Sequence, residues 1–368
     1  MKSTGVRSYK EVQQKRSWLS GLFKRHGSEK PTQSPSPQKQ TTPNQVLAPT
    51  GIDPITIMGS EFYKRLETAL AGSDAEAHIN LGNALAAKGL IDDAIKECKE
   101  AIRIKPDYAE AHYSLGFTFK DKGLIDDAIK EYKETIRIKP YYAEAHYSLG
   151  NAFTAKGLID DAIEEYKEAI RIKPDYADAH NNLGATLAAK GLIDDAIKEY
   201  IEAIRIKPDL AEAHSQLGYA FAVKGLIDDA IKEFKEAIRI KPDYANAHNN
   251  LGNRLTAKGL IDDAIKECKE AIRIKPDYAE AHNNLGSAFQ DKGLIDDAIK
   301  EFKETIRIKP DHAEAHNNLG FAFQDKGLID DAIKAFENFI RYAPPQYAGH
   351  AEKVKGIIIE LKKRRTTK

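Results

Sequence analysis

Along most of the chain, apolar residues return with the period of an amphipathic helix. His78, Leu81, Gly82 and Leu85 fall at i, i+3, i+4 and i+7, which predicts a helix with one inward face. Lys88 and Gly89 follow, and Gly takes the left-handed conformation that ends helices. A second stripe comes next, made of Ile91, Ala94, Ile95, Cys98, Ala101 and Ile102. Asp92 and Asp93 sit where the positive end of that helix would be, and Pro106 cannot continue it. The unit is helix, turn, helix, turn.

This pattern repeats. Leu-Gly recurs with Gly at 82, 116, 150, 184, 218, 252, 286 and 320, always 34 residues apart. If each copy is numbered from the Ala seven residues before that Gly, eight copies run from Ala75 to Gln346. No single helix pair can bury its own stripe, so neighbours must stack, and the ends need caps. Gly82, Ala94 and Ala101 are small enough for the helix backbones to approach closely. Cys98 and Cys268 are 170 residues apart, five repeats, in a slot where other copies carry Tyr or Phe. They are therefore expected as core fillers, with no disulfide between them.

In order, the second copy carries Leu115, Gly116, Phe119, Ala128, Tyr132 and Pro140, and all eight copies keep this pattern. The pattern resembles the tetratricopeptide repeat family. The resemblance implies an all-α fold, a right-handed superhelical α-solenoid of eight 34-residue helix-turn-helix repeats with capping helices. One departure is uniform, because the family's first aromatic slot is His here, at 78, 112, 146, 180, 214, 248, 282 and 316. Equivalent positions on stacked repeats lie too far apart for these histidines to share a metal ion, so a polar contact between helices is expected instead. No metal or other cofactor is expected.

The ends read differently. Residues 1–58 form a polar, basic, Pro-rich segment expected to be disordered, with Trp18, Leu19, Leu22 and Phe23 able to form a short amphipathic helix. Residues 59–72, with Ser60 as a cap and Phe62, Leu66 and Leu70 in register, predict an N-capping helix. Residues 347–363 predict a C-capping helix, and 364–368 a basic tail. The formal net charge of zero hides a split. Residues 1–50 hold nine Lys/Arg against Glu11 and Glu29, and residues 361–368 hold five cations and no acid. The intervening array must therefore total about −12.

Comparison of the copies with one another points to a binding face. GLIDDAI stands in every copy and IRIKP in seven, whereas variation gathers on the first helix at repeat positions 5, 6, 9, 12 and 13. In the family, by resemblance, this helix lines a concave surface that grips partners. Amides dominate it here: Asn80, Asn182, Asn250, Asn284 and Asn318 at position 6, Asn181, Asn249, Asn283 and Asn317 at position 5, and Asn83, Asn151 and Asn253 at position 9. Ser114, Ser148 and Gln216 complete position 6. Each amide offers a donor and an acceptor to the backbone of an extended peptide. The row resembles the asparagine ladder in the repeat domain of the O-linked N-acetylglucosamine transferase family, whose catalytic domain has no counterpart here. Tyr113, Tyr147 and Tyr219, with Phe117 and Phe321, interrupt the amides as apolar footholds.

Position 2 carries acids (Glu76, Glu110, Glu144, Asp178, Glu212, Glu280 and Glu314) or Asn246. The carboxylate clamp of chaperone-tail receptors in this family needs Lys there, so EEVD-type tails are not expected as partners. Phosphate-loop, GxSxG, HExxH and CxxC motifs are missing from the sequence, which argues against an enzyme. The basic C-terminal residues are expected to be solvated, and nucleic acid is not expected as a partner. The expectation is a cytoplasmic protein-binding module that takes an extended protein or peptide segment in its groove. The rival reading is a self-assembling scaffold that could oligomerise, or contact a membrane surface through its basic ends.

Overall fold

The computed structural model describes residues 74–366. The predicted N-terminal segment and the 59–72 helix lie outside the described residues. Seventeen α-helices and one 3₁₀ turn make up the described chain, with no strand among those residues. It divides into two compact units, one ending at Ile172 and the other beginning at Lys173.

In the first unit the helices are α1 (Ala75–Ala87), α2 (Ile91–Ile104), α3 (Ala109–Asp121), α4 (Ile125–Ile138), α5 (Ala143–Ala155) and α6 (Ile159–Ile172). The second holds α7 (Ala177–Ala189), α8 (Ile193–Ile206), α9 (Ala211–Val223), α10 (Ile227–Ile240), α11 (Ala245–Ala257), α12 (Ile261–Ile274), α13 (Ala279–Asp291), α14 (Ile295–Ile308), α15 (Ala313–Asp325), α16 (Ile329–Tyr342) and α17 (Ala348–Thr366). Odd-numbered helices up to α15 are the A helices of the repeats, and even-numbered ones are the B helices.

The turns and the close packing have the causes the sequence implied. Gly89 (φ 79°) and its seven equivalents close the A helices in the left-handed region, where any other residue would be strained. At Gly116 a Cβ would stand 2.8 Å from the ring of Tyr132, so the A helix can rest on that ring only without a side chain. Cys98 and Cys268 fill the slot that Tyr132 occupies in its own copy, and both are fully buried free thiols. Burial pushes each thiol up to about 12, leaving little thiolate to react.

Successive repeats are also tied at the surface. Lys122 reaches back 2.6 Å to Asp92, and Lys292 reaches 2.6 Å to Asp262. The same Lys-to-Asp pair forms between Lys156 and Asp126, Lys224 and Asp194, Lys258 and Asp228, and Lys326 and Asp296. At the C-terminal end, Arg365 on α17 takes the place of that Lys, 3.0 Å from Asp330.

The eighth repeat is rebuilt to receive α17. Phe339 stands where seven copies have Ala or Thr, and it meets Tyr347 and His350 edge-on. Val354, Ile358 and Leu361 bury the inner side of α17 in the same core cluster as Phe336 and Phe339. The helix runs on to Thr366, so Arg364 and Arg365 are helical.

Candidate binding face

The variable residues of the A helices do not form one uniform surface. Within a unit, position 5 points between neighbouring A helices: Tyr113, Asn249 and Asn283 are buried there, and Asn181 is half-buried, as are Tyr147 and Asn317. Tyr113 is therefore an inter-repeat packing residue, with its ring 5.1 Å from that of Tyr142, and not an open foothold. Asn80 at position 6 is exposed, while Asn182, Asn250, Asn284 and Asn318 are half-buried. Asn83, Asn151 and Asn253 at position 9 are half-buried as well, and Asn151 accepts from the Tyr166 hydroxyl at 2.8 Å.

Many of the amides bond to one another. Position 6 of one repeat donates to position 5 of the preceding repeat, from Asn284 to Asn249 at 2.9 Å and from Asn318 to Asn283 at 3.2 Å. Asn253 adds a bond to Asn284 at 3.2 Å. In the first unit, Tyr113 and Ser148 share a hydrogen bond of 3.1 Å at the same two positions. The cap continues the series, because Asn317 Oδ1 lies 3.2 Å from His350 Nε2. Much of the amide row thus holds repeats together, a role that spacing on a single helix cannot reveal.

The series breaks at the fifth repeat. Gln216 is exposed and does not reach back, leaving Asn181 Oδ1 buried without a partner. Ser215 occupies position 5 and is too short to meet Asn250, and no such bond forms. A pocket of about 210 Å³ opens there, lined by Ser215, Gln216, Tyr219, Tyr244, Asn246, Asn250 and Tyr278. Tyr219 is 56% exposed. Tyr278 receives a long hydrogen bond from Asn249, 3.5 Å, and burial beside Glu280 keeps its phenol above the usual range, so it remains a donor. Tyr244 and Tyr278 do not stand out in the sequence, because Tyr closes most copies and looks like framework. The signal at Asn246 was visible, since it is the one copy uncharged at position 2.

The histidines have a different task. In His112, His146, His180, His214, His248 and His282, Nδ1 lies 2.6 Å from a Glu carboxylate nineteen residues on. Nε2 of each lies 2.9 to 3.2 Å from the carbonyl of the Pro six residues back. Both partners are acceptors, so only the doubly protonated ring satisfies them together. Burial opposes that charge, but the Glu and Pro hydrogen bonds outweigh it, and all six are raised above the ordinary histidine value. The eighth copy has Ala335 in place of the Glu, and His316 stacks on Tyr342 instead, 5.4 Å between centroids. These histidines join helices and turns within the packing.

Comparison with known proteins agrees with this architecture. The TPR repeat model matches residues 82–123, 118–157, 150–191, 186–225, 222–259, 252–293 and 291–327, and the tetratricopeptide repeat model matches 313–346. The chain belongs to the tetratricopeptide repeat family. No curated protein matches it. Among solved structures, MamA is 35% identical, over 44% of this chain and 94% of that one, with a TM-score of 0.42. YrrB, described as a TPR protein with an unusual peptide-binding site, is 23% identical over 50% of this chain and 95% of its own, with a TM-score of 0.43. The APC/C hetero-tetramer Cut9-Hcn1 is 15% identical over 80% of this chain and 59% of that one. Its TM-score of 0.56 is a likeness of fold.

Proposed function

We propose that this protein is a non-catalytic interaction scaffold that holds extended segments of partner protein on the A-helix faces of its units. The observation carrying this reading is the contrast inside one chain: GLIDDAI and IRIKP barely change, while positions 5, 6 and 9 of the A helices vary and carry amides and aromatics. The exposed or half-buried members, Asn80, Asn83, Gln216 and Asn250, present donors and acceptors that suit a peptide backbone. The rival reading, assembly driven by basic ends, draws less support at the C-terminus, where Lys362 and Arg365 already pair with Glu337 and Asp330.

Panning a random peptide library on the full chain tests the reading. Peptides so selected are expected to bind the Asn80→Ala/Asn83→Ala chain several-fold more weakly, since each hydrogen bond nets about 0.5–1.5 kcal/mol. Arg239→Ala, on the outer side of a B helix and paired there with Glu236, serves as the control and leaves binding unchanged. Equal binding to all three proteins would overturn the proposal.

A further inference from the structure

We propose that the pocket at the fifth and sixth repeats is a subsite for a proline-containing stretch of the partner segment. The inference deepens the peptide-binding reading and rests on it. Three departures from the other copies meet at this one place. Position 5 shrinks to Ser215 where the next two copies have Asn249 and Asn283. Position 2 loses its acid at Asn246, and position 9 carries the exposed Tyr219. The same place is where the inter-repeat amide bonds stop, so Gln216 and Asn250 keep hydrogen-bonding capacity that Asn284 and Asn318 spend on their neighbours.

The lining selects the occupant. It contains no ionised side chain, only three Tyr, one Ser and three amides. Lys241 lies 5.0 Å from the centre of the Tyr244 ring, and Lys275 lies 4.8 Å from that of Tyr278. An incoming Lys or Arg would meet like charge beside those two rings, so the rings do not make a cage for a cation. The four hydroxyls and three side-chain NH₂ groups are rich in donors. A proline-containing strand in the polyproline conformation brings carbonyl acceptors, few N–H groups that need partners, and flat rings that lie against tyrosines. Its stiffness also lowers the entropy lost on docking. The volume of about 210 Å³ admits one or two such rings.

The test uses the full chain and short fluorescent peptides of one length, in which Ser alternates with Pro, Ala, Phe or Lys. The Pro peptide is expected to bind best, and Tyr219→Ala to weaken it by about tenfold, as truncating an interface aromatic does. Ser215→Asn and Asn246→Glu restore residues that other copies carry, so they fit the repeat, and each is expected to weaken the Pro peptide to a similar extent. Equal binding of the Ala and Pro peptides, stronger binding of the Phe or Lys peptide, or no effect of the three substitutions would overturn the subsite. The Asn80→Ala/Asn83→Ala chain separates the two proposals. If it loses library-selected peptides while the pocket variants lose nothing, the groove stands and the subsite falls. If only the pocket variants matter, the subsite stands and the bound segment does not extend to the first repeat.

Discussion

At Gly218 a single hydrogen atom is the fitted part. A Cβ there would lie 2.9 Å from the Phe234 ring and 3.2 Å from the Ala230 carbonyl, and the carbonyl belongs to a helix that cannot yield alone. Gly218→Ala is expected to destabilise by about 1–3 kcal/mol, the usual cost of overpacking. In a Phe234→Ala background the same change should cost less, and a double-mutant cycle in urea measures the difference. The sequence made this contact legible, because Gly recurs with Tyr, Phe or Cys sixteen residues later. It did not make the fate of Asn249 legible. Periodicity places position 5 on the variable face of its own helix, but burial at that position depends on the next A helix, whose distance no one-dimensional pattern contains.

Among the elements, α17 is the one whose loss would be felt locally. It is not a copy of the repeat, yet it repeats the repeat's contacts: Arg365 for the junction Lys, and His350 for the position-6 donor. Leu361 is 2% exposed, and Leu361→Ala should cost about 2–4 kcal/mol at that end. Stacked repeats contact only their neighbours. Hydrogen exchange is therefore expected to quicken in α16 and α17 while α9 and α10 keep their protection. Uniform loss of protection would contradict that picture. The helical period of residues 347–363 announced this element, but its extension to Thr366 is supported by partners on α16, Asp330 and Glu337, that lie far from it in sequence.

Across the molecule, six histidines titrate in the same direction. Their folded values stand above the ordinary 6.5, so the stability they confer is complete below that pH and is lost as pH rises through the folded values. Thermal unfolding is expected at a higher temperature at pH 6 than at pH 9. Replacing Glu131, Glu165, Glu199, Glu233, Glu267 and Glu301 with Gln should flatten that dependence, which circular dichroism at several pH values would show. The sequence displayed the eight histidines and the regularity of their spacing, and predicted a polar contact. The identity of the partners required the fold, since the Glu comes from the other helix of the pair and the carbonyl from the turn before it.

The Lys-to-Asp pair at the junctions within each unit uses the same two residues of the same 34-residue text. A copy inserted between two others of one unit would meet this same pair on either side. Inserting or removing a whole 34-residue copy inside a unit therefore keeps the Lys-to-Asp pair at its seams. A duplication inserted between Ser215 and Asn250 is different, because it would divide the pocket's two halves between repeats that no longer touch. Insertion at that seam would leave the Lys-to-Asp pairs in place and fall on binding instead.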